Sequence, residues 1–132
     1  TGETTLQIPG ETRVEDWIVT VSLIERKEAV GDIQPTGSRL GYMEQLAVSD
    51  DELVIRTRQP GDRFQPLGMS NSKKLQDFMV NDKIPRHWRD RVPLVVTPRG
   101  IAWVVGWRIA DWARMLDDAS EFMEIEFRLD PT

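Results

Sequence analysis

Residues 53–111 carry the densest structural signals of this 132-residue chain and read LVIRTRQPGDRFQPLGMSNSKKLQDFMVNDKIPRHWRDRVPLVVTPRGIAWVVGWRIAD. The first six residues, LVIRTR, place alternate side chains on two faces, as a strand does. PLVVTP and IAWVVGW, separated by Arg99-Gly100, predict a β-hairpin. Between these strand signals, Leu75, Phe78 and Met79 recur at helical spacing. The stretch therefore predicts antiparallel strands around a helical insertion.

Two short helices are predicted inside this insertion. The first covers KKLQDFMVND, with Asn71 or Ser72 as its N-cap. The second covers PRHWRDR, because Pro85 suits the first turn of a helix. Ahead of both, QPGD predicts a turn in which Gly61 tolerates a positive φ and Asp62 caps the backbone.

The flanking segments add further strand signals. RVEDWIVTVSLIE near the start of the chain and FMEIEFRL near its end alternate between apolar and polar side chains. Another strand is expected around Leu46–Val48, and residues 29–39, rich in Gly, Pro and polar residues, predict a loop. The expected fold class is α+β, mainly antiparallel strands with a two-helix insert.

The chain length favours a single domain over residues 1–132. We divide this domain into lead-in strands and a loop (1–52), a core region (53–111) and a closing strand (112–132). Because the first residue is Thr1 and not Met, we expect an excised part of a longer protein. Neither a secretory signal nor an apolar run of membrane-spanning length is visible in the sequence.

A basic segment lies inside an acidic chain. Residues 56–108, which we call the basic island, contain 11 Lys/Arg and 4 Asp/Glu, a net charge of +7. Residues 1–55 carry −7 and residues 109–132 carry −5, so the net charge of the whole chain is −5. A local field of this kind attracts polyanions even when the total charge would repel them. The basic island therefore predicts a polyanionic partner, with a merely solvated face as the alternative.

Signals for catalysis and metal binding are weak. The sequence has no cysteine and one histidine, His87, which has no local partner for a catalytic triad. It has no phosphate-binding glycine loop and no H-E-x-x-H motif. The acidic runs at 50–52 and 117–118 lack calcium-loop spacing and are expected to be solvated turns. We therefore expect no catalytic residue, no metal site and no cofactor in this chain.

Cationic side chains of the basic island can converge on one phosphate-binding surface. A strand end, the start of the first predicted helix and one face of the second each contribute Lys or Arg, which suit phosphate. The candidates are Arg56, Arg58, Arg63, Lys73, Lys74, Lys83, Arg86 and Arg89. Trp88, flanked by charge, is the ring best suited to remain exposed and stack on a base.

Each of these groups also has a purely structural interpretation. Asp77 can pair with Lys73 or Lys74 in an ordinary helix salt bridge. Asp90 can pair with Arg86 in the same way. Four other aromatic rings could also stack on bases, but most of them are expected in the core: Phe64, Phe78, Trp103 and Trp107.

Three interrupted motifs occur in a fixed order: R-x-R-x-x-G-D-R, then K-K-L-x-D, then K-I-P-R-x-x-R-D-x-x-P. Over Leu53–Asp111 this pattern resembles the C-terminal domain of tRNA(Ile)-lysidine synthetase. The resemblance implies a fold similar to a module of phenylalanyl-tRNA synthetase. We expect the basic positions of the motif, together with Trp88, to bind RNA. The structural positions of the motif are Gly61, Asp62, Asp77, Pro85 and Asp90.

Enzymes of this family use ATP to attach lysine to the wobble cytidine of a minor isoleucine tRNA. The resemblance implies that this chemistry, ATP and Mg belong to an N-terminal domain with an S-G-G-x-D-S loop, which is absent from this sequence. The chain is therefore expected to hold the tRNA body, including its acceptor stem, and to be inactive alone. The implied partners are the minor isoleucine tRNA and the N-terminal catalytic domain of the same polypeptide, in the cytoplasm.

Two other functions stay open on the residues alone. One is a protein–protein interaction or dimerisation module whose basic island docks on an acidic partner or on a second copy of the chain. The other is a stand-alone enzyme, which the weak catalytic signals disfavour. A homodimer is compatible with the RNA-binding interpretation as well.

Overall fold

The computed structural model describes residues 3–25, 36–38, 41–46, 52–114 and 121–129. The strands in these ranges are β1 (Thr4–Thr5), β2 (Gly10–Val14), β3 (Trp17–Glu25), β4 (Thr36–Ser38), β5 (Gly41–Leu46), β6 (Val54–Arg56), β7 (Arg63–Phe64), β8 (Lys73–Lys74), β9 (Leu94–Thr97), β10 (Gly100–Val104), β11 (Arg108–Ile109) and β12 (Glu121–Leu129). The same ranges contain the α-helix α1 (Leu75–Asn81) and 3-10 turns at Arg86–Trp88 and Asp111–Ala113.

The first sheet contains the predicted hairpin. Its five strands follow the order β1-β6-β9-β10-β11, and all neighbours are antiparallel. Within the hairpin, Thr97 pairs with Gly100 across the turn and Leu94 with Val104 at the open end. The predicted strand at LVIRTR is β6, which pairs with β9 and stops at Arg56.

The second sheet is built around the closing strand. Its order is β2-β3-β12-β5-β4, with nine residue pairs joining β12 to β3. The strands predicted at both ends of the chain are therefore confirmed. The predicted loop at 29–39 is wrong at 36–38, which form the edge strand β4 by pairing with β5; the rest of that segment lies outside the described residues. The strand expected at Leu46–Val48 is β5, which begins earlier and is described as far as Leu46.

Aromatic rings join the two sheets. Trp103 of the first sheet meets Phe127 of the second edge to face, with 5.5 Å between ring centroids. Trp17 contacts the same Phe127 ring at 5.9 Å. Buried residues of both sheets, including Leu94 of the first and Ile125 of the second, belong to one hydrophobic cluster. Burial of such side chains supplies the main favourable free energy of folding.

The insertion contains one α-helix and not two. As the spacing predicted, α1 buries Leu75, Phe78 and Met79. Its predicted side-chain cap is wrong: the N-cap is Lys74, which makes no side-chain capping hydrogen bond. The physical reason is that the residues before the helix are extended, because they pair with β7 as the strand β8. The fold is thus mostly antiparallel strands with one helix.

The second predicted helix is a single 3-10 turn at Arg86–Trp88. None of the three residues in that turn is buried. Nucleating a helix is unfavourable, and short helices depend on packing of an apolar face to offset that cost. Without a buried face, PRHWRDR has nothing to stabilise a longer helix. No helix in the described part of the chain is long and apolar enough to cross a membrane.

The end of α1 places a lysine in a left-handed conformation. Lys83 has a φ of 59°, and its N–H donates to the Val80 carbonyl at 3.0 Å. The Ile84 N–H donates to the Met79 carbonyl at 2.9 Å, which completes a Schellman motif. Ile84 is then buried beneath the helix. The Lys83 side chain therefore sits at a position that glycine would occupy with less strain.

We expect Lys83→Gly to raise the free energy of unfolding by about 1 kcal/mol, because glycine removes the steric cost of the left-handed backbone. Urea denaturation measures the difference. Lys83→Ala is the matched control, since it removes the charge and keeps the Cβ atom, and it should show no gain. Equal stabilisation by both variants would assign the effect to charge and contradict the backbone explanation.

Candidate functional site

Three candidate cations converge on a groove at one end of the insertion. The groove has a volume of about 510 Å³ and is lined by the QPGD turn, Arg58, Arg63, Lys74, Leu75, Gln76 and Asp90. Arg58 follows the end of β6, Arg63 opens β7, and Lys74 closes β8. We call this site the basic groove. The groove brings a strand end and the start of a helix together, whereas Arg86 and Arg89 of the predicted second helix do not line it.

A bidentate ion pair supports the turn that forms one wall of the groove. The two terminal nitrogens of Arg56 donate to the two carboxylate oxygens of Asp62, each at 2.9 Å. Asp62 also accepts the Gln59 N–H at 2.8 Å, so the predicted capping role of Asp62 is confirmed. Gly61 has a φ of 86°, the left-handed value that this turn requires. The side chains of Arg56 and Asp62 are only 12% and 13% exposed.

The environment of Asp62 favours its charged form. Burial is the largest single effect and raises the pKa of this carboxyl. The hydrogen bonds from Arg56 and from the Gln59 N–H, together with the charge of Arg56, outweigh burial and lower the pKa below the ordinary aspartate value. Asp62 therefore stabilises the fold above its unfolded-state pKa of about 3.9, and this contribution is lost as pH falls through the lower folded-state value.

A second ion pair crosses the groove. Arg58 Nε donates to Asp90 Oδ1 at 2.8 Å, and Asp90 is 79% exposed. The predicted Asp90–Arg86 pair is wrong, because the 3-10 turn does not continue into the helix that would place the two side chains one turn apart. The predicted pairing of Asp77 is also wrong: among the described residues Asp77 makes no ion pair, since the two lysines expected to reach it lie in β8.

Two cations face each other without a compensating carboxylate. Arg63 and Lys74 are direct partners in the β7–β8 ladder, where like charges on opposing residues are destabilising. Arg63 is held by Ser72, whose hydroxyl and carbonyl oxygens accept at 3.2 and 3.1 Å. Within the ranges that the structure covers, neither Arg63 nor Lys74 forms an ion pair. An anion in the groove would relieve their repulsion.

The other candidate residues lie outside the lining of the basic groove. Lys73 is half-buried beside the groove, and Lys83 is at the end of α1. Arg89 is half-buried and its Nε donates to the Ile84 carbonyl at 3.0 Å, so it supports the connection after α1. Arg86 is exposed in the 3-10 turn, and Pro85 is the residue before that turn. Only three of the eight basic motif positions therefore line the groove, namely Arg58, Arg63 and Lys74.

An aromatic cleft was not predicted. It has a volume of about 350 Å³, and its lining includes Trp17, Trp88, Trp107 and Arg91. Trp88 is 49% exposed, as the sequence predicted, whereas Trp107 is 42% exposed, so its predicted core position is wrong. Trp107 directly follows the positive-φ Gly106, which turns the chain out of β10. In the sequence, the exposure of Trp107 is indicated only by its position between Gly106 and Arg108, after the hairpin strand.

The described residues contain few clustered side chains suited to metal binding or catalysis. In those ranges no group of three or more His, Asp or Glu side chains could hold a metal ion. His87 is exposed, and its ring is tilted against Trp88 with 5.6 Å between centroids. The arrangement can bind and orient an anion through Arg and Lys donors.

A family model described as the TilS substrate C-terminal domain matches residues 53–122, slightly more than half of the chain. The chain belongs to this family. The predicted family resemblance over Leu53–Asp111 is therefore confirmed. The family match also covers the basic groove, the 3-10 turn and the hairpin.

Relatives of known name agree with this membership. The tRNA(Ile)-lysidine synthase of Dehalococcoides mccartyi is 38% identical over 128 residues, which are 97% of this chain and 26% of that protein. The tRNA(Ile)-lysidine synthase of Symbiobacterium thermophilum is 54% identical over 105 residues, which are 75% of this chain and 20% of that protein. This chain thus spans about a quarter or less of these relatives.

A solved structure shares the fold. The crystal structure of a TilS C-terminal domain superposes with a TM-score of 0.69, covering 99% of this chain and 100% of that one at 22% sequence identity. The mainly antiparallel arrangement with one helix is therefore the fold of this family.

We expect Asp62→Asn to lower the free energy of unfolding by about 2 kcal/mol at pH 7, because it leaves Arg56 half-buried without its charged partner. The difference from the parent chain should shrink as pH falls below about 3.9, because the Asp62 carboxyl of the unfolded parent is then protonated, and it should vanish below the lower folded-state pKa. Urea denaturation at a series of pH values from 7 to 3 measures both effects.

Asp90→Asn is the matched control for this change. It removes the same charge from the other ion pair of the groove, but Asp90 is largely exposed, so the expected loss is below about 0.5 kcal/mol. Equal losses for the two variants would show that the Arg56–Asp62 pair has no special structural role.

Proposed function

We propose that this chain is the tRNA-binding C-terminal domain of a tRNA(Ile)-lysidine synthase. In this proposal the parent enzyme joins lysine to the wobble cytidine of the minor isoleucine tRNA with ATP. The domain described here binds and orients the tRNA body. ATP, Mg and the bond-forming chemistry belong to an N-terminal catalytic domain of the same polypeptide.

The opposed cations of the basic groove carry this proposal. Arg63 and Lys74 lie directly across a two-stranded ladder and line an open groove, although their repulsion disfavours that pairing. The acidic residues of the groove do not neutralise them, because Asp62 is engaged by Arg56 and Asp90 by Arg58. A site that retains two uncompensated cations is suited to phosphate groups.

RNA in particular suits such a surface. The deep, narrow major groove of A-form RNA resists side-chain readout, so proteins bind its stems through phosphates, 2′-hydroxyls and shape. Arg63 and Lys74 can contact phosphates in the basic groove, and Lys73, Lys83 and Arg86 can extend the contacts around it. Arg56 contributes less, because it is only 12% exposed and its charge is paired with Asp62. Arg89 contributes less, because it is half-buried and its Nε donates to the Ile84 carbonyl, whereas Arg63 is exposed.

Holding the stem also explains how a separate domain assists the reaction. A tRNA bound here keeps its anticodon at a high effective concentration near a catalytic domain on the same polypeptide. The family membership favours tRNA over an acidic protein partner for the basic island. A homodimer stays a prediction, which light scattering with and without tRNA can test.

We expect the isolated chain to bind an unmodified isoleucine tRNA transcript with strong dependence on salt. If about six phosphates are engaged, the slope of log K against log salt should be near about −5. Arg63→Gln combined with Lys74→Gln should reduce the magnitude of that slope by about two, since each phosphate contact contributes about 0.9. A filter-binding titration at several salt concentrations measures the slope.

The control removes the same charge elsewhere. Arg114→Gln combined with Arg128→Gln changes two half-exposed cations outside the basic groove, which pair with Asp111 and Glu11. This control should leave the slope within error of the parent value, and thermal melting should show that both double variants fold. Parent binding without salt dependence, or equal effects of the two double variants, would refute the groove as the tRNA site.

A further inference from the structure

The aromatic cleft described above is apolar, cationic at one side and open to solvent. Its lining residues are Trp17, Pro85, Trp88, Arg91, Val92, Pro93, Val105 and Trp107. This lining includes one cation, Arg91, and no carboxylate. Two of its three tryptophan rings, Trp88 and Trp107, are more than two-fifths exposed. Large exposed aromatic surface of this kind marks a binding site more often than a structural feature.

The position of Trp88 is not explained by packing. The 3-10 turn that carries Trp88 has no buried residue, so the turn adds little to the hydrophobic core. Arg91 lies over the Trp88 ring with its guanidinium carbon 6.0 Å from the ring centroid. The Arg91 N–H donates to the Trp88 carbonyl at 2.8 Å, which fixes the turn between them. The turn therefore presents a ring and a cation side by side.

The chemistry of the cleft fits a nucleobase joined to phosphate. Every base has a flat aromatic face that stacks on tryptophan, whatever its sequence. A neighbouring guanidinium attracts the phosphate on the same nucleotide. A cleft with a cation and no carboxylate favours an anionic occupant over a neutral or basic one. Its three tryptophans favour a nucleotide over an acidic side chain, because only the nucleotide adds an aromatic face to its charge. The base must be unpaired, because bases within a duplex stack on each other and do not present their faces.

The cleft and the basic groove share one segment of the chain. Asp90 lines the basic groove and Arg91 lines the cleft, so consecutive residues connect the two sites. The Cα atoms of consecutive residues are about 3.8 Å apart. The two sites are therefore joined through one backbone segment, which makes a single RNA that occupies both the arrangement to test.

We infer that this cleft is a second RNA subsite that binds one unpaired nucleobase by stacking on Trp88 and Trp107, with Arg91 contacting its phosphate. The inference rests on the proposed function, because the stem of the same RNA occupies the basic groove. The aromatic cleft would thus recognise an unpaired base, which phosphate contacts alone cannot do. The groove responds to charge, whereas the cleft responds to the presence of an unpaired base.

The test uses the 132-residue chain and three RNAs. One is a blunt hairpin stem, and the other two are the same stem with a four-nucleotide single-stranded extension at its 5′ or its 3′ end. For the parent chain, at least one extension should strengthen binding about tenfold, the gain expected from one stacked base. Trp88→Ala should remove that gain and leave the affinity for the blunt stem unchanged. The salt slope for the blunt stem should also stay unchanged.

Three further variants control this result. Trp88→Phe keeps an aromatic face and should retain most of the gain, whereas Trp107→Ala should reduce it. Met69→Ala removes another exposed apolar side chain outside the cleft lining and should have no effect. Thermal melting establishes that each variant is folded, and a 2-aminopurine placed in the extension should be quenched by the parent chain and not by Trp88→Ala.

The outcomes separate this inference from the proposed function. Equal binding of blunt and extended RNAs by the parent chain refutes the cleft as a nucleobase subsite and leaves the proposal for the basic groove unaffected. If the gain in affinity from the extension persists in both Trp88→Ala and Trp107→Ala, the cleft is also refuted as a nucleobase subsite. Failure of all three RNAs to bind refutes both proposals. If Trp88→Ala instead dissociates a dimer measured by sedimentation and changes no RNA affinity, the cleft is a protein interface.

Discussion

The bidentate pair between Arg56 and Asp62 is the interaction on which the insertion depends. It ties the last residue of β6 to the QPGD turn. The backbone carbonyl of Asp62 accepts the N–H of Leu75, the first residue of α1, at 2.9 Å. One residue therefore connects a strand end, a turn and a helix start. Because both side chains of the pair are nearly excluded from solvent and bonded to each other, neither charge is left uncompensated in the groove.

This arrangement divides the basic island into two groups of cations. Arg56 and Arg89 donate to protein acceptors and support the turn and the connection after α1. Arg63 and Lys74 remain opposed across β7 and β8, at a cost in stability that an anion would offset. The net charge of +7 therefore overstates the charge available to a ligand. Under the proposed function, binding depends on which cations the fold leaves without a carboxylate.

Local patterns were predictable wherever neighbouring residues along the chain decide the structure. The hairpin around Arg99-Gly100 and the buried positions of α1 followed from turn chemistry and helical spacing. The prediction of a second helix was wrong because PRHWRDR has helix-compatible residues but no buried face. Whether a face is buried depends on the tertiary surroundings of the segment. The predicted partner of Asp90 was also wrong, because its actual partner, Arg58, is 32 residues away in sequence and is brought close only by the tertiary fold.

The sequence by itself determined the family, the antiparallel strands, the helix that buries Leu75, Phe78 and Met79, and the concentration of positive charge. These depend on short-range periodicity and on motifs with fixed spacing. Only the tertiary structure decided which cations are paired and which are opposed, and that Trp88 and Trp107 line the same cleft. The physical reason is that ion pairing and exposure depend on distances between segments that are remote along the chain, and periodicity does not encode those distances.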